Sequence, residues 1–383
     1  MTRGDDRWWD LVRIDPVTLA QVTNTPYLKG AGGSPIASAD GRSFITLSRV
    51  QHRTEPDQVT MHLYSTNGFA EVSHPVGIPA TDARLSPDGT RAVMFDPASG
   101  GLSWEVVETA SGREVGRGQT TDPGPCCAAG DYWIDRSASR VYRLVTPGTG
   151  AESGGPVKPV LVANDATTGR ELGRLTIDSP LAGIWRTAQA RQSNDPMMQV
   201  LMPGFALSRD GQNLAVYAAD SPVLTLVDLA RMKVTGTWRL APQASLWERL
   251  GLVQTANAKG LNGFEWQAAF TADSARLVAW GQRYESPASD VFRSIPVGAV
   301  VIDLSSLTIR SVDVPGIWPA NLVPAPDGSA VYLFGTRAPA DGSLTGPPQP
   351  RVLARLDLRT LSITAERQFD GVTGSLILAR PQA

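Results

Sequence analysis

The stretch SRDGQNLAVYAADSPVLTLVDLARMKVTGTWRL, Ser208 to Leu240, holds two different turns between short runs of alternating apolar residues. The first is Asp210-Gly211. Asp-Gly between alternating apolar residues is a strong hairpin signal, because glycine accepts the positive φ that a tight turn demands. The second is Asp228-Leu-Ala-Arg-Met-Lys-Val, in which an aspartate side chain can bond the backbone of its own turn. Together they describe four short strands.

The unit recurs. The first turn, or a degraded form of it, appears in IASADGRSFITL (Asp40), ARLSPDGTRAVMF (Asp88), YWIDRSASRVYRL (Asp135), AFTADSARLVAW (Asp273) and LVPAPDGSAVYLF (Asp327). The second appears in VRIDPVTLAQV, HLYSTNGFAEV, VVETASGREVG, VANDATTGREL, VIDLSSLTIRS and RLDLRTLSITA. With the opening stretch this makes six copies of the first and seven of the second, in strict alternation. A four-stranded unit of roughly 45–60 residues is the size of one propeller blade.

The expected fold is therefore all-β: a seven-bladed β-propeller of four-stranded antiparallel blades, forming a single domain over residues 1–383. Blades fall at about 33–79, 81–123, 126–183, 197–241, 263–319 and 320–372. The seventh closes the ring by pairing about 1–30 with 370–383, which hides a sheet edge that would otherwise invite aggregation. Only an outer-type turn is present at the N-terminus, and the tail has length for little more than one strand, so this blade has three or four strands.

With strands A to D running outward from the axis, the first turn joins A to B and the second joins C to D. Both lie on one face of the disc. The B–C and D–A connections lie on the other, and all the long ones are there: SRVQHRTEPDQ, TPGTGAESGGPVKP, GQRYESPASDVFRSIP and GTRAPADGSLTGPPQP, with Trp185–Pro203 and Ala241–Asn262. Loops carry function on rigid scaffolds, so this is the expected working face. Within the last insertion, Ser245 and Glu248 form a capping-box pattern that predicts a short helix carrying Trp247 over the pore mouth.

Composition excludes several classes. Hydrophobic residues are 42% and charged residues 19%, which is globular, and 37 Gly with 29 Pro leave little room for long helices. The net charge of -2 gives no footprint for nucleic acid. No apolar run approaches the ~18 residues of a membrane span. The start MTRGDDRWWDLVRID has no apolar signal-peptide core, so the chain is either cytoplasmic or begins after a removed targeting segment, and the compartment stays open.

Three arginines end B strands on the working face: Arg49, Arg283 and Arg337, in the blades nearest the closure. Such an arc could clamp a carboxylate or phosphate, although arginine is also the default surface cation of this chain. His52, His62 and His74 fall in one blade, but their spacing does not converge three ligands on a metal. His62 is expected near Glu71. The adjacent Cys126 and Cys127 read as two free thiols rather than a strained vicinal disulfide. No G-x-S-x-G nucleophile motif occurs, and no cofactor or metal set is indicated.

The phrases SPDGTRAVMF, APDGSAVYLF, VDLARMKV and LDLRTL resemble bacterial YVTN-type and quinoprotein amine dehydrogenase heavy-chain-like propellers over essentially the whole chain. The resemblance implies the fold. It implies no cofactor here, since in amine dehydrogenases the quinone sits on a separate small cysteine-rich subunit. The functional expectation is a non-catalytic scaffold that binds a protein, an extended ligand or a small anion through its long loops. The alternative is an enzyme or enzyme subunit, lactonase-like or amine-dehydrogenase-like, with its site at the pore mouth.

Overall fold

The structure is a computed structural model. It describes residues 8–10, 14–22, 29–31, 35–38, 41–50, 57–66, 70–97, 101–120, 132–146, 155–186, 198–218, 221–240, 261–288, 291–343 and 349–369.

An N-terminal ribbon pairs β1 (Trp8–Asp10) with β2 (Lys29–Ala31). The first blade contains β3 (Ile36–Ala37), β4 (Ser43–Val50), β5 (Gln58–Ser65) and β6 (Glu71–Val76). In the second are β7 (Asp82–Leu85), β8 (Arg91–Asp96), β9 (Leu102–Glu108) and β10 (Glu114–Thr120). The third has β11 (Tyr132–Ile134), β12 (Arg140–Val145), β13 (Val160–Asp165) and β14 (Glu171–Thr176). An inserted pair follows, β15 (Gly183–Arg186) and β16 (Met198–Met202). The fourth blade is β17 (Gly204–Leu207), β18 (Asn213–Tyr217), β19 (Val223–Asp228) and β20 (Lys233–Arg239). Longer strands build the fifth: β21 (Leu261–Phe270), β22 (Arg276–Ala288), β23 (Val291–Asp303) and β24 (Ile309–Val312). The sixth is β25 (Ile317–Pro324), β26 (Ala330–Arg337), β27 (Arg351–Asp357) and β28 (Ser362–Phe369).

Each blade is an antiparallel meander in chain order. First strands of neighbouring blades touch one another, as β17 does β21 and β21 does β25, which puts them at the axis. Last strands alternate exposed and half-covered residues, as an outer rim must.

Between successive blades lie apolar layers. Ile45 and Met61 meet Ala92 and Met94, and Phe95 and Trp104 meet Tyr132 and Val141. Further round, Leu161 meets Val216, Tyr217 meets Leu277, and Val278 and Trp280 meet Leu333. Strand alternation supplies this directly, since odd and even residues of one blade face its two neighbours.

The inner turns repeat one backbone geometry. Gly89, Gly211 and Gly328 hold φ near +72°, +71° and +72°, and each donates its N–H to the carbonyl three residues earlier. The Ser86 and Ser208 hydroxyls donate to Asp88 and Asp210 at 2.6 Å. In the third blade the pair is exchanged: Asp135 stands where the serine stands elsewhere, and Ser137 donates back to it at 3.1 Å. In the outer turns the residue four after the acid is left-handed whether or not it is glycine: Leu19, Gly112, Gly169, Met232, Leu307 and Leu361.

Six four-stranded blades among the described residues correct the expected seven. The N-terminal segment follows the sixth blade as a single hairpin, bridged Ile14 to Gln21, because its sequence holds an outer turn without an inner one. That hairpin packs on the blade before it as three other outer turns do. Trp104, Tyr142 and Arg276 donate to the carbonyls of Ala166, Leu229 and Leu358, each following a turn aspartate. Tyr332 donates in the same way to Pro16, which follows Asp15, at 2.9 Å. Leu19 is buried with Tyr332, Phe334 and Leu353. The expected pairing of 370–383 lies outside the described residues.

Candidate functional site

The two faces of the ring differ in kind. Short repeated turns make up one. On the other, two insertions that read as loops are strands. The connection after the third blade forms the antiparallel pair β15–β16, and β16 then runs parallel to the start of β21, from Met198–Leu261 to Met202–Glu265. The innermost strand of the fifth blade is thereby covered at the loop-face end. Gly263 makes this possible: it has φ +138°, and a Cβ there would lie 1.8 Å from the Val200 carbonyl oxygen.

GQRYESPASDVFRSIP, read as a loop, is the extension of β22 and β23 beyond the body of the blade. Its prolines disguised it. Pro287 and Pro296 fall at register shifts, where a ladder tolerates a missing N–H. The alternating aromatic and β-branched residues of this stretch were the signal that could have revealed it.

At the base of this extension a polar group faces the sixth blade. Tyr284 and Gln282 both donate to Glu265 Oε2, Gln282 at 2.8 Å. Ser294, fully buried, donates to Gln282 Oε1 at 3.0 Å, and Trp318 Nε1 donates to the Ser294 carbonyl at 2.7 Å. Burial first, and the Glu265 carboxylate second, push the Tyr284 phenol above its ordinary range, so it remains a donor at physiological pH. No cation pairs with Glu265 among the described residues. Glu105, in the second blade, contrasts with it. It is 3% exposed, accepts from Gly77 N at 2.7 Å and pairs with Arg117 at 3.2 Å. Burial nevertheless raises its pKa against those two stabilising contacts.

Each of the three candidate arginines meets a different acid. Arg49 pairs with Asp57 through Nε at 2.6 Å, Arg283 with Glu285, and Arg337 with Glu366. These contacts belong to the first, fifth and sixth blades and do not join the arginines to one another. Trp247, the expected helix near Ser245, His52 and Cys126–Cys127 lie outside the described residues. Half-buried Trp318 tethers the extended hairpin of the fifth blade to the sixth through its ring N–H. His62 and His74 point to opposite faces of their blade, His74 lying against Gly112 of the next one. His62 bonds Glu71, as expected, at 2.8 Å. Among the described residues no set of three His, Cys, Asp or Glu side chains is placed to hold a metal ion, and no helix is long and apolar enough to cross a membrane.

No protein-family profile matches the chain, and no curated protein matches it in sequence. Solved structures resemble it in shape. Hydrazine synthase of Kuenenia stuttgartiensis aligns with TM-score 0.49 and 11% identity over 88% of this chain and 80% of that one. The β-propeller domain of Cps50 (Swd1) from Myceliophteria thermophila gives 0.46 and 11% over 88% and 97%. Dihydro-heme d1 dehydrogenase NirN, in complex with DHE, gives 0.45 and 12% over 98% and 73%. The chain is an all-β propeller. The activities in those names are those proteins' own.

Proposed function

We propose that this chain is a propeller scaffold that binds a protein or an extended ligand through the face bearing its B–C and D–A connections. One observation carries the reading. Among the described residues the turn face repeats two hydrogen-bonded turn geometries, whereas the opposite face has gained β15, β16 and the β22–β23 extension. Extra ordered strands on one face of a ring supply blade-specific surface that closing the ring does not require.

The contact residues we assign are Arg49, Arg283 and Arg337, with Trp247 from the insertion. Each arginine is shared with one carboxylate of its own blade, which an incoming carboxylate or phosphate can replace with little net loss. Glu265, held by neutral donors only, adds an acceptor for a hydrogen-bond donor on the ligand. The resemblance to YVTN-type and amine dehydrogenase heavy-chain propellers fits a binding role for the disc.

Affinity capture from source cells tests this with the wild-type chain and an Arg283→Gln/Arg337→Gln variant, which removes both charges without setting a second carboxylate against Glu285 or Glu366. A partner retained by the wild type should be lost from the variant while its melting temperature is kept. Equal retention by both would remove these arginines from the interface.

A further inference from the structure

The two faces of the first blade are chemically unlike. Ile45, Leu47, Val59 and Met61 face the second blade and are part of an apolar layer. Strand alternation sends Thr46, Ser48, Thr60, His62 and Tyr64 to the opposite side. The position of His62, three residues before the end of its turn's opening strand, is Glu105, Val162, Thr225, Val300 and Ala354 in the second to sixth blades. The polar ones reach out to the preceding connection: Glu105 accepts from Gly77 N, and Thr225 donates to Ser179 O at 2.6 Å. His62 instead bonds within its own sheet.

The line it makes runs across three strands. Ser48 Oγ on β4 is 2.7 Å from His62 Nε2 on β5. His62 Nδ1 is 2.8 Å from Glu71 Oε1 and 2.9 Å from Ser73 Oγ, both on β6. Ser73 Oγ itself donates to Glu71 Oε1 at 2.7 Å. That bond, ahead of the contacts with His62, holds the Glu71 carboxyl below its ordinary range against the effect of burial. An ionised carboxylate only accepts, so Nδ1 carries the ring proton. In the neutral ring Nε2 is then a lone pair, and it faces the Ser48 hydroxyl. The His62 side chain is 18% exposed and Glu71 42%, with Ser48 half-buried, so the set is reachable from solvent.

We propose that Ser48 is an activated nucleophile, with His62 its general base and Glu71 the residue positioning that base, and that this site cleaves small activated esters. The roles follow from geometry, which recurs on unrelated folds whatever the chain order. Ser48 Oγ bonds to the acyl carbon and its proton passes to His62 Nε2. The C–O bond to the leaving group breaks, and the departing alkoxide takes that proton. Water, deprotonated by His62, then attacks the acyl-Ser48 ester and releases the acid and the free serine. Activated esters are the expected class because their leaving groups depart with little help. Ser48 directly precedes Arg49 in β4 and its side chain lies on the flank of the first blade, so the proposal does not rest on the binding function assigned to the loop face.

The test uses the full chain and diisopropyl fluorophosphonate, with the adduct mapped by peptide mass spectrometry. Phosphorylation of Ser48 with release of fluoride is expected, slowed at least tenfold in His62→Gln and less in Glu71→Gln. Hydrolysis of p-nitrophenyl acetate should vanish in Ser48→Ala. A folded chain that leaves Ser48 unlabelled overturns the proposal. So does a labelling rate at Ser48 that His62→Gln leaves unchanged, since a merely structural histidine would have no part in it. Circular dichroism of each variant establishes folding, and the wild-type labelling decides the matter even where a variant fails to fold.

Discussion

Two tryptophans make the same bond on the two sides of this ring. Trp104 donates to Ala166 O at 2.8 Å and ties the second blade to the outer turn of the third. Trp318 donates to Ser294 O at 2.7 Å and ties the sixth blade to the extended hairpin of the fifth. Trp104 is wholly buried in an inter-blade layer, and its acceptor belongs to an outer turn that recurs in the second to sixth blades. Trp318 is half-buried, and its acceptor belongs to an extension found, among the described residues, in the fifth blade alone. One bond is part of the repeating geometry; the other fastens an addition to it. The repeating contacts belong to the frame of the ring, and the loop face is elaborated upon it.

Acid should break the turn face first and with the largest effect. Hydrogen bonds to neighbouring backbone and side-chain donors hold Asp15, Asp165, Asp228, Asp273, Asp303, Asp327 and Asp357 below the ordinary carboxylate pKa. Asp88 is lowered as well, despite its burial. A folded-state pKa below the unfolded value of about 3.9 stabilises the chain above that pH. The stability is lost as pH falls through the folded values. Urea midpoints should therefore be flat from pH 7 to 5 and drop steeply below about 4. A midpoint unchanged at pH 3 would show that the turn aspartates contribute nothing.

The tryptophans themselves give the next contrast. Trp104→Ala should cost about 3–5 kcal/mol, the range for emptying a buried aromatic site. Trp318→Ala should cost only about 1–2 kcal/mol, a hydrogen bond and part of a contact surface. It should also speed amide exchange in 282–295 more than elsewhere. Equal costs in chemical denaturation would erase the distinction between frame and addition.

Gly89→Val comes third, at about 2 kcal/mol, because a β-branched residue must be forced to φ near +72°. Its partner binding should fall only with the fraction folded. Arg283→Ala is the mirror case. Its side chain is only 21% exposed and that of its partner Glu285 35%, so about 1–2 kcal/mol of stability should be lost, with captured partner reduced well beyond the fraction unfolded. Differential scanning calorimetry beside a binding assay reads both.

What the chain disclosed of itself follows the same division. Asp88-Gly89, Asp210-Gly211 and Asp327-Gly328 were legible because only glycine and short polar side chains make such turns cheaply. The exchanged Asp135 and Ser137 were less so, since a hydrogen-bonded pair works in either order. Met232, Leu307 and Leu361 were not legible at all: their left-handed backbone is imposed by the turn around them. On the loop face, Pro287 and Pro296 hid two strands by sitting at bulges, and the parallel join of β16 to β21 depends on long-range contact. The Ser48–His62–Glu71 line needs the register of three strands before it exists, although the proximity of His62 and Glu71 across one turn was readable. The blade count was overdrawn because one outer turn was taken to imply a whole blade.

Lysine cross-linking tests the central claim most directly, because this chain has only four lysines and two of them report on opposite faces. Lys158 lies just before β13 on the loop face, and Lys233 begins β20 beside an outer turn. With a captured partner bound, an amine-reactive cross-linker should join the partner to Lys158 and leave Lys233 unlinked. Cross-links concentrated at Lys233 would place the partner on the turn face and contradict the account.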